Sequence, residues 1–145
     1  MIKDDFENFS FEAVMELLKN TNITEKQCEK LIKNQSTFLT EAIFEESRVP
    51  EENLLKIGKL LNKGMGTQEL IFVVFNHLNL PLETLTNFAY SKDEGKRKLA
   101  AQHNSLPIEV AEILLEDESW DVRHEVLFND AVPQSLRNLY IDEIY

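Results

Sequence analysis

The sequence predicts an all-α fold, a short α-solenoid of about five 26-residue two-helix repeats, on the strength of three observations. First, Pro81, Pro107 and Pro133 stand 26 residues apart, Pro50 lies 31 before Pro81, and Thr24 lies 26 before Pro50. Second, an independent series of helix-starting residues, Ser10, Ser36, Thr67, Asp93 and Ser119, repeats the same spacing of 26, 31, 26 and 26. Third, apolar residues fall at fixed offsets from both series, as the 3.6-residue period requires of packed helices.

Each repeat reads as a helix A that begins at the Pro/Thr position and a helix B that begins at the Ser/Thr/Asp position. The first element is a helix B alone, over about 10–20, opened by Ser10. Four A–B pairs follow from Thr24, Pro50, Pro81 and Pro107, and a closing helix A occupies about 133–143. Seven residues past each helix A start come Leu31, Ile57, Phe88, Leu114 and Tyr140, expected in the core. Seven and eight past each helix B cap come Leu17/Leu18, Ile43/Phe44, Val74/Phe75, Ala100/Ala101 and Val126/Leu127, expected there too. Ile23, Val49, Leu80, Leu106 and Val132 precede each helix A and are placed to staple the turn. The single departure from the period, "NKGMG" at 62–66, is expected to be a lengthened turn. Neither a strand pattern nor a Gly/Ser-rich linker is found, so the chain is expected to form one domain, 1–145.

Composition narrows the function classes. With 26 acidic and 15 basic residues the net charge is −11, a field that repels phosphate backbones and attracts basic proteins. No apolar run of about 18 residues is present, and the first residues, "MIKDDFENFSF", are acidic where a secretory signal is basic and then apolar. The expectation is a soluble, cytoplasmic protein that binds neither membrane nor nucleic acid. The single Cys28 cannot form an internal disulfide, and it occupies a slot filled elsewhere by Leu54, Leu85 and Ala111, so a buried, inert thiol is expected.

Residues 107–133, "PIEVAEILLEDESWDVRHEVLFNDAVP", resemble the leucine-rich repeat variant family, through Asp117, Trp120, Val122, Arg123, Val126, Asn129 and Pro133. The preceding repeat keeps Arg97 and Pro107 but carries Ser91 in place of the Asp, and repeats nearer the N-terminus share only punctuation and core positions. The resemblance implies a right-handed stack of short helices with a HEAT-like architecture. Some family members hold an iron–sulfur cluster on several cysteines, which Cys28 alone cannot do. Shape by itself does not settle function.

Candidate chemistry is sparse. Arg97 and Arg123 share a repeat position and could bind an anion, but a tie from Arg123 to Asp117 or to a carboxylate of the neighbouring repeat is the expectation. His77 and His103 also share a position, yet without a third ligand they are expected to be ordinary cations at helix C-termini, with no metal. "KGMG" lacks the preceding strand and terminal Lys of a phosphate loop. The basic run Lys92, Lys96, Arg97, Lys98 is interrupted by Asp93 and Glu94 and is expected to be a solvated face.

No nucleophile–base–orienter set, carboxylate pair or cofactor motif can be assembled, so the chain is expected to be no enzyme and to take no cofactor or small-molecule substrate. The expected function is a non-enzymatic protein-binding module, such as an acidic inhibitor or immunity protein that blocks a basic, nuclease-type toxin with carboxylates where the toxin expects phosphate. Alternatives are a scaffold or adaptor subunit and a HEAT-like nucleic-acid-processing enzyme. The expected partner-binding residues are Trp120, either an exposed anchor or packing at the repeat junction, with Asp121, Glu125, Glu118 and His124 around it, and Glu41 and Glu45 on an earlier helix B.

Overall fold

A computed structural model describes residues 9–141. Within them the chain is all α-helical, with no strand: α1 (Phe11–Leu18), α2 (Glu25–Asn34), α3 (Ser36–Glu45), α4 (Glu51–Asn62), α5 (Gln68–Phe75), α6 (Leu82–Ala89), α7 (Glu94–Ala101), α8 (Ile108–Leu115), α9 (Trp120–Leu127) and α10 (Gln134–Arg137). Two compact units divide it, Met1–Thr84 and Leu85–Tyr145, and the division falls inside α6.

Local chemistry sets nearly every helix start. Ser10 accepts from Ala13 N, Thr67 from Leu70 N, Asp93 from Gly95 N and Ser119 from Val122 N. Thr24 and Gln27 form a reciprocal capping box, at 3.0 and 2.9 Å. Pro50, Pro107 and Pro133 stand at the caps of α4, α8 and α10, where a missing N–H loses nothing.

In the first unit α1, α3 and α5 pack side by side, and α2 and α4 form a second row against them. Their facing side chains include Val14, Leu18, Leu31, Leu39, Ile43, Leu54, Ile57, Leu70 and Val74, all buried. Polar ties join successive repeats. Asn53 Nδ2 on α4 donates to the carbonyls of Leu18 and Asn20, and Lys56 Nζ donates to those of Thr21 and Ile23. Asn79 Nδ2 reaches the carbonyls of Ser47 and Val49 in the same way. The approach of α4 to α6 is close: a Cβ on Gly58 would lie 2.6 Å from Thr84 Cγ2, so only glycine fits.

In the second unit α7 packs beside α9, and α8 lies against both. Ala100, Ala101, Val110, Leu114, Val122 and Val126 make its core, with Asn129 Nδ2 donating to the carbonyls of Ala101 and His103.

Several expectations change in detail. Gln35, not Ser36, is the cap of α3, so its buried pair moves one residue back to Ala42 and Ile43 and Phe44 turns outward, 76% exposed. The five-residue insertion is mostly helix rather than turn, since α4 has 12 residues where α8 has 8. Gly64, at φ 105°, then ends α4, and Gly66, at φ 87°, leads into the Thr67 cap of α5. Gly64 N donates to Leu61 O and Met65 N to Leu60 O, the paired bonds of a Schellman cap. The closing helix is only the four residues of α10 within the described chain; Tyr140, expected in the core, is half-buried, and its hydroxyl donates to Glu116 Oε1 at 2.6 Å. Residues 142 and 143 of the expected closing helix lie outside the described residues. Of the staples, Ile23, Val49, Leu106 and Val132 are buried and Leu80 is half-buried.

Candidate functional site

The surface that gathers most of the expected partner-binding residues is the outer face of α9. Its start is fixed from two directions. Ser119 N donates to Asp117 Oδ1 at 2.9 Å, and the Ser119 hydroxyl bonds Glu94 Oε1 on α7. Asp117 is itself held by Arg97 of α7, with Nε–Oδ2 at 2.8 Å and Nη2–Oδ1 at 3.4 Å. Arg97 Nη1 also donates to the carbonyls of Ser91 and Lys92, which uses most of the guanidinium fork.

Both arginines of the shared repeat position bear on Asp117. Its carboxylate pairs with Arg97 of the preceding repeat, 20 residues away, and Arg123 reaches its backbone carbonyl, at 2.7 Å. From α9 the Arg123 side chain runs back over the helix start, as helical side chains do, and meets the exposed carbonyl before it meets the carboxylate. The arrangement also removes Arg97 from the basic run, leaving Lys92 exposed and Lys96 and Lys98 half-buried.

With Val122, Val126 and Leu127 inward, the opposite side of α9 carries Trp120 and His124, and Phe128 at its C-cap continues the interval of four. Their rings stack in a row: Trp120 to His124 at 4.6 Å and His124 to Phe128 at 4.5 Å, both tilted by about a third of a right angle. Trp120 remains 47% exposed and Phe128 58%. Asp121 is exposed beside this row, Glu125 is half-buried one turn on, and the Glu118 side chain is 91% exposed, 3.8 Å from Arg97. Asp121 lies in the first turn of α9, where a carboxylate suits the helix dipole, whereas Glu125 follows at i+4, where a second like charge weakens a helix by a few tenths of a kcal/mol.

Glu41 and Glu45, the other expected contacts, are exposed one turn apart on α3 of the first unit. The residues that sequence reasoning missed lie beside them. Phe44 on α3 and Phe72 on α5 are 76% and 61% exposed, and Leu78 is 86% exposed. The signal for Phe72 was its position on the polar side of helix B, one residue outside the apolar stripe.

The remaining candidates have structural partners. Cys28 is buried, and burial pushes its thiol up to about 11, which leaves it protonated and unreactive at neutral pH. His77 and His103 each follow the last turn of a helix B and fold a turn. His77 Nδ1 accepts from Asn79 N and Nε2 lies 2.7 Å from Glu46 O, so the proton is on Nε2; His103 Nδ1 accepts from Ser105 N. The Glu46 carboxyl is held below the usual carboxylate range, chiefly because it accepts from the Arg48 backbone N–H and then from the Arg48 side chain. Among the described residues no group of three or more His, Cys, Asp or Glu is placed to hold a metal ion, and no helix is long and apolar enough to cross a membrane.

Comparison of the chain with family models, with curated proteins and with solved structures finds no match. The structure therefore establishes an α-helical repeat, without a family assignment.

Proposed function

We propose that this chain is a non-enzymatic protein-binding module whose partner is a basic protein, and that α9 is its main contact surface. The observation that carries the reading is the stacked row of Trp120, His124 and Phe128, half in solvent and bordered by Asp121, Glu125 and Glu118. An aromatic row of this kind offers rigid contact area at low entropic cost, and the carboxylates steer and register a cationic partner. An inhibitor of a nuclease-type toxin is the concrete form best matched to a −11 chain, because carboxylates can occupy the toxin's phosphate subsites. Kinship with leucine-rich repeat variant proteins goes with this reading, supported by the repeat-to-repeat roles of Asp117 and Asn129. So does a cytoplasmic location, supported by the lone, buried Cys28.

The test is affinity capture from the native host at low and raised salt, followed by binding kinetics with the captured protein. A basic protein should be retained, with association slowing markedly as salt rises and dissociation changing less. Asp121→Lys with Glu125→Lys should abolish capture without unfolding the chain, and Trp120→Ala should cost about 2 kcal/mol or more of binding. Tight binding of duplex DNA in a gel shift would overturn the reading. Capture indifferent to salt and to the Lys pair would favour a scaffold subunit.

A further inference from the structure

The first unit carries an apolar trough that the α9 surface does not explain. It runs between α3 and α5, with a main depression of about 590 Å³ bounded by Thr40, Glu41, Phe44, Glu69 and Val73. A second, smaller depression shares Phe44 and Val73 and continues towards Phe72 and Leu78. The trough exists because of register. Gln35 caps α3 one residue before the repeat series expects, so Ala42 and Ile43 fill the core and Phe44 stands on the outer edge, facing the side of α5 that bears Phe72. Large aromatics left this exposed in adjacent helices form a contiguous apolar surface, the kind that marks an interaction site.

We propose that this trough receives a basic amphipathic helix of a protein partner. Two properties select that occupant. The charge lining the trough is acidic: Glu41, Glu45 and Glu69 are exposed along it, no Lys or Arg lines either depression, and the nearby Arg48 and Lys19 are taken up by Glu46, at 3.2 and 3.8 Å. The dimensions suit a helix, because α3 is ten residues long, about 15 Å, and two packed helices leave a groove that takes a third helix at 8–10 Å spacing. An apolar stripe at i, i+3, i+4 and i+7 would lie over Phe44, Val73 and Phe72, with Lys or Arg on its flanks meeting the glutamates. A second copy of this chain is disfavoured as occupant, since its own net charge of −11 would be brought against the same carboxylates. The proposal shares with the reading of α9 the sign of the partner's charge but not the site, so the two fail separately.

The experiment uses the full chain and a fluorescent synthetic peptide of about 15 residues, ~22 Å as a helix, built of Leu and Lys on opposite faces. Two controls share its length: a scramble with no apolar face, and a version with Glu for Lys. Anisotropy should show binding of the Leu/Lys helix alone. Phe44→Ala and Phe72→Ala, both at exposed positions, should each weaken it about ten-fold or more, and Glu41→Lys with Glu69→Lys should do the same. Asp121→Lys with Glu125→Lys on α9 changes the net charge by the same amount and should weaken it far less than Glu41→Lys with Glu69→Lys does. Equal binding of the scramble, or affinity indifferent to Phe44 and Phe72, would overturn the proposal. So would a self-associated chain in sedimentation whose dimer is lost in Phe44→Ala, since a second copy would then occupy the trough.

Discussion

Removing the Arg97 side chain is the sharpest test of how the repeats are fastened. Arg97 and Asp117 are 11% and 8% exposed at their side chains, so their pairing is little weakened by solvent. Arg97→Ala deletes two charge-assisted bonds to Asp117, at 2.8 and 3.4 Å, and two bonds to the carbonyls of Ser91 and Lys92, at 3.0 and 3.2 Å. It also strands a carboxylate that keeps the Ser119 N–H, at 2.9 Å, but loses its counter-charge. Breaking a buried pair by removing one partner costs about 3–5 kcal/mol, and the retained N–H places this case near the lower end, about 3 kcal/mol. Arg123→Ala deletes at least the charge-assisted bond to the Asp117 carbonyl but strands no charge, and for a half-buried guanidinium this costs about 1.5 kcal/mol, the lower end for a bond to a charged group. Urea unfolding followed by far-UV circular dichroism should therefore show Arg97→Ala with a clearly lower midpoint than Arg123→Ala, at unchanged slope. The melting temperature should fall by about 10 °C for Arg97→Ala. An Arg97→Ala protein within about 0.5 kcal/mol of wild type, or one more stable than Arg123→Ala, would refute the assignment of the tie.

Other positions make equally direct tests. Thr84 is buried and its hydroxyl has no hydrogen-bond partner, so Thr84→Val should stabilise by about 1 kcal/mol in a urea titration; a loss of stability would show that the hydroxyl is satisfied. Gly58→Ala should destabilise by about 1–3 kcal/mol through its clash with Thr84, and adding Thr84→Ala should recover part of that loss. The Cys28 thiol should resist a thiol reagent near pH 8 in the native protein and react at once in denaturant. Because its folded value is raised, Cys28 contributes stability below its unfolded value near 9 that is lost as pH rises towards 11; Cys28→Ala should flatten that alkaline decline. Glu46 has the opposite sign: its lowered value contributes stability at neutral pH that disappears as pH falls through the carboxylate range, and Glu46→Gln should show a shallower acid limb.

What the sequence determined by itself is what acts within one helical turn. A Ser, Thr or Asp oxygen caps the N–H groups two or three residues on, and Pro fits a helix start regardless of its neighbours, so the two punctuation series located the starts of α1, α2, α4, α5 and α7 to α10 directly. The apolar offsets named Leu31, Ile57, Phe88 and Leu114, all fully buried, because the helical period leaves one face to bury. Tertiary structure decided what depends on register and on atoms far apart in the chain. A one-residue shift at Gln35 turned Phe44 from core to surface, since 100° of rotation separates adjacent residues on a helix. Arg97 took Asp117 because α7 packs beside α9 and brings the guanidinium to the carboxylate, a proximity that a separation of 20 residues does not reveal. The Asn53, Asn79 and Asn129 bridges belong to the same class: each side-chain amide reaches carbonyls at a turn about one repeat earlier in the chain, a contact that local spacing does not mark. The α9 surface was legible as Trp120 among acids, whereas its stacking on His124 and Phe128 follows from a spacing of four on one helix, and the trough beside Phe44 existed only once α3 and α5 had packed.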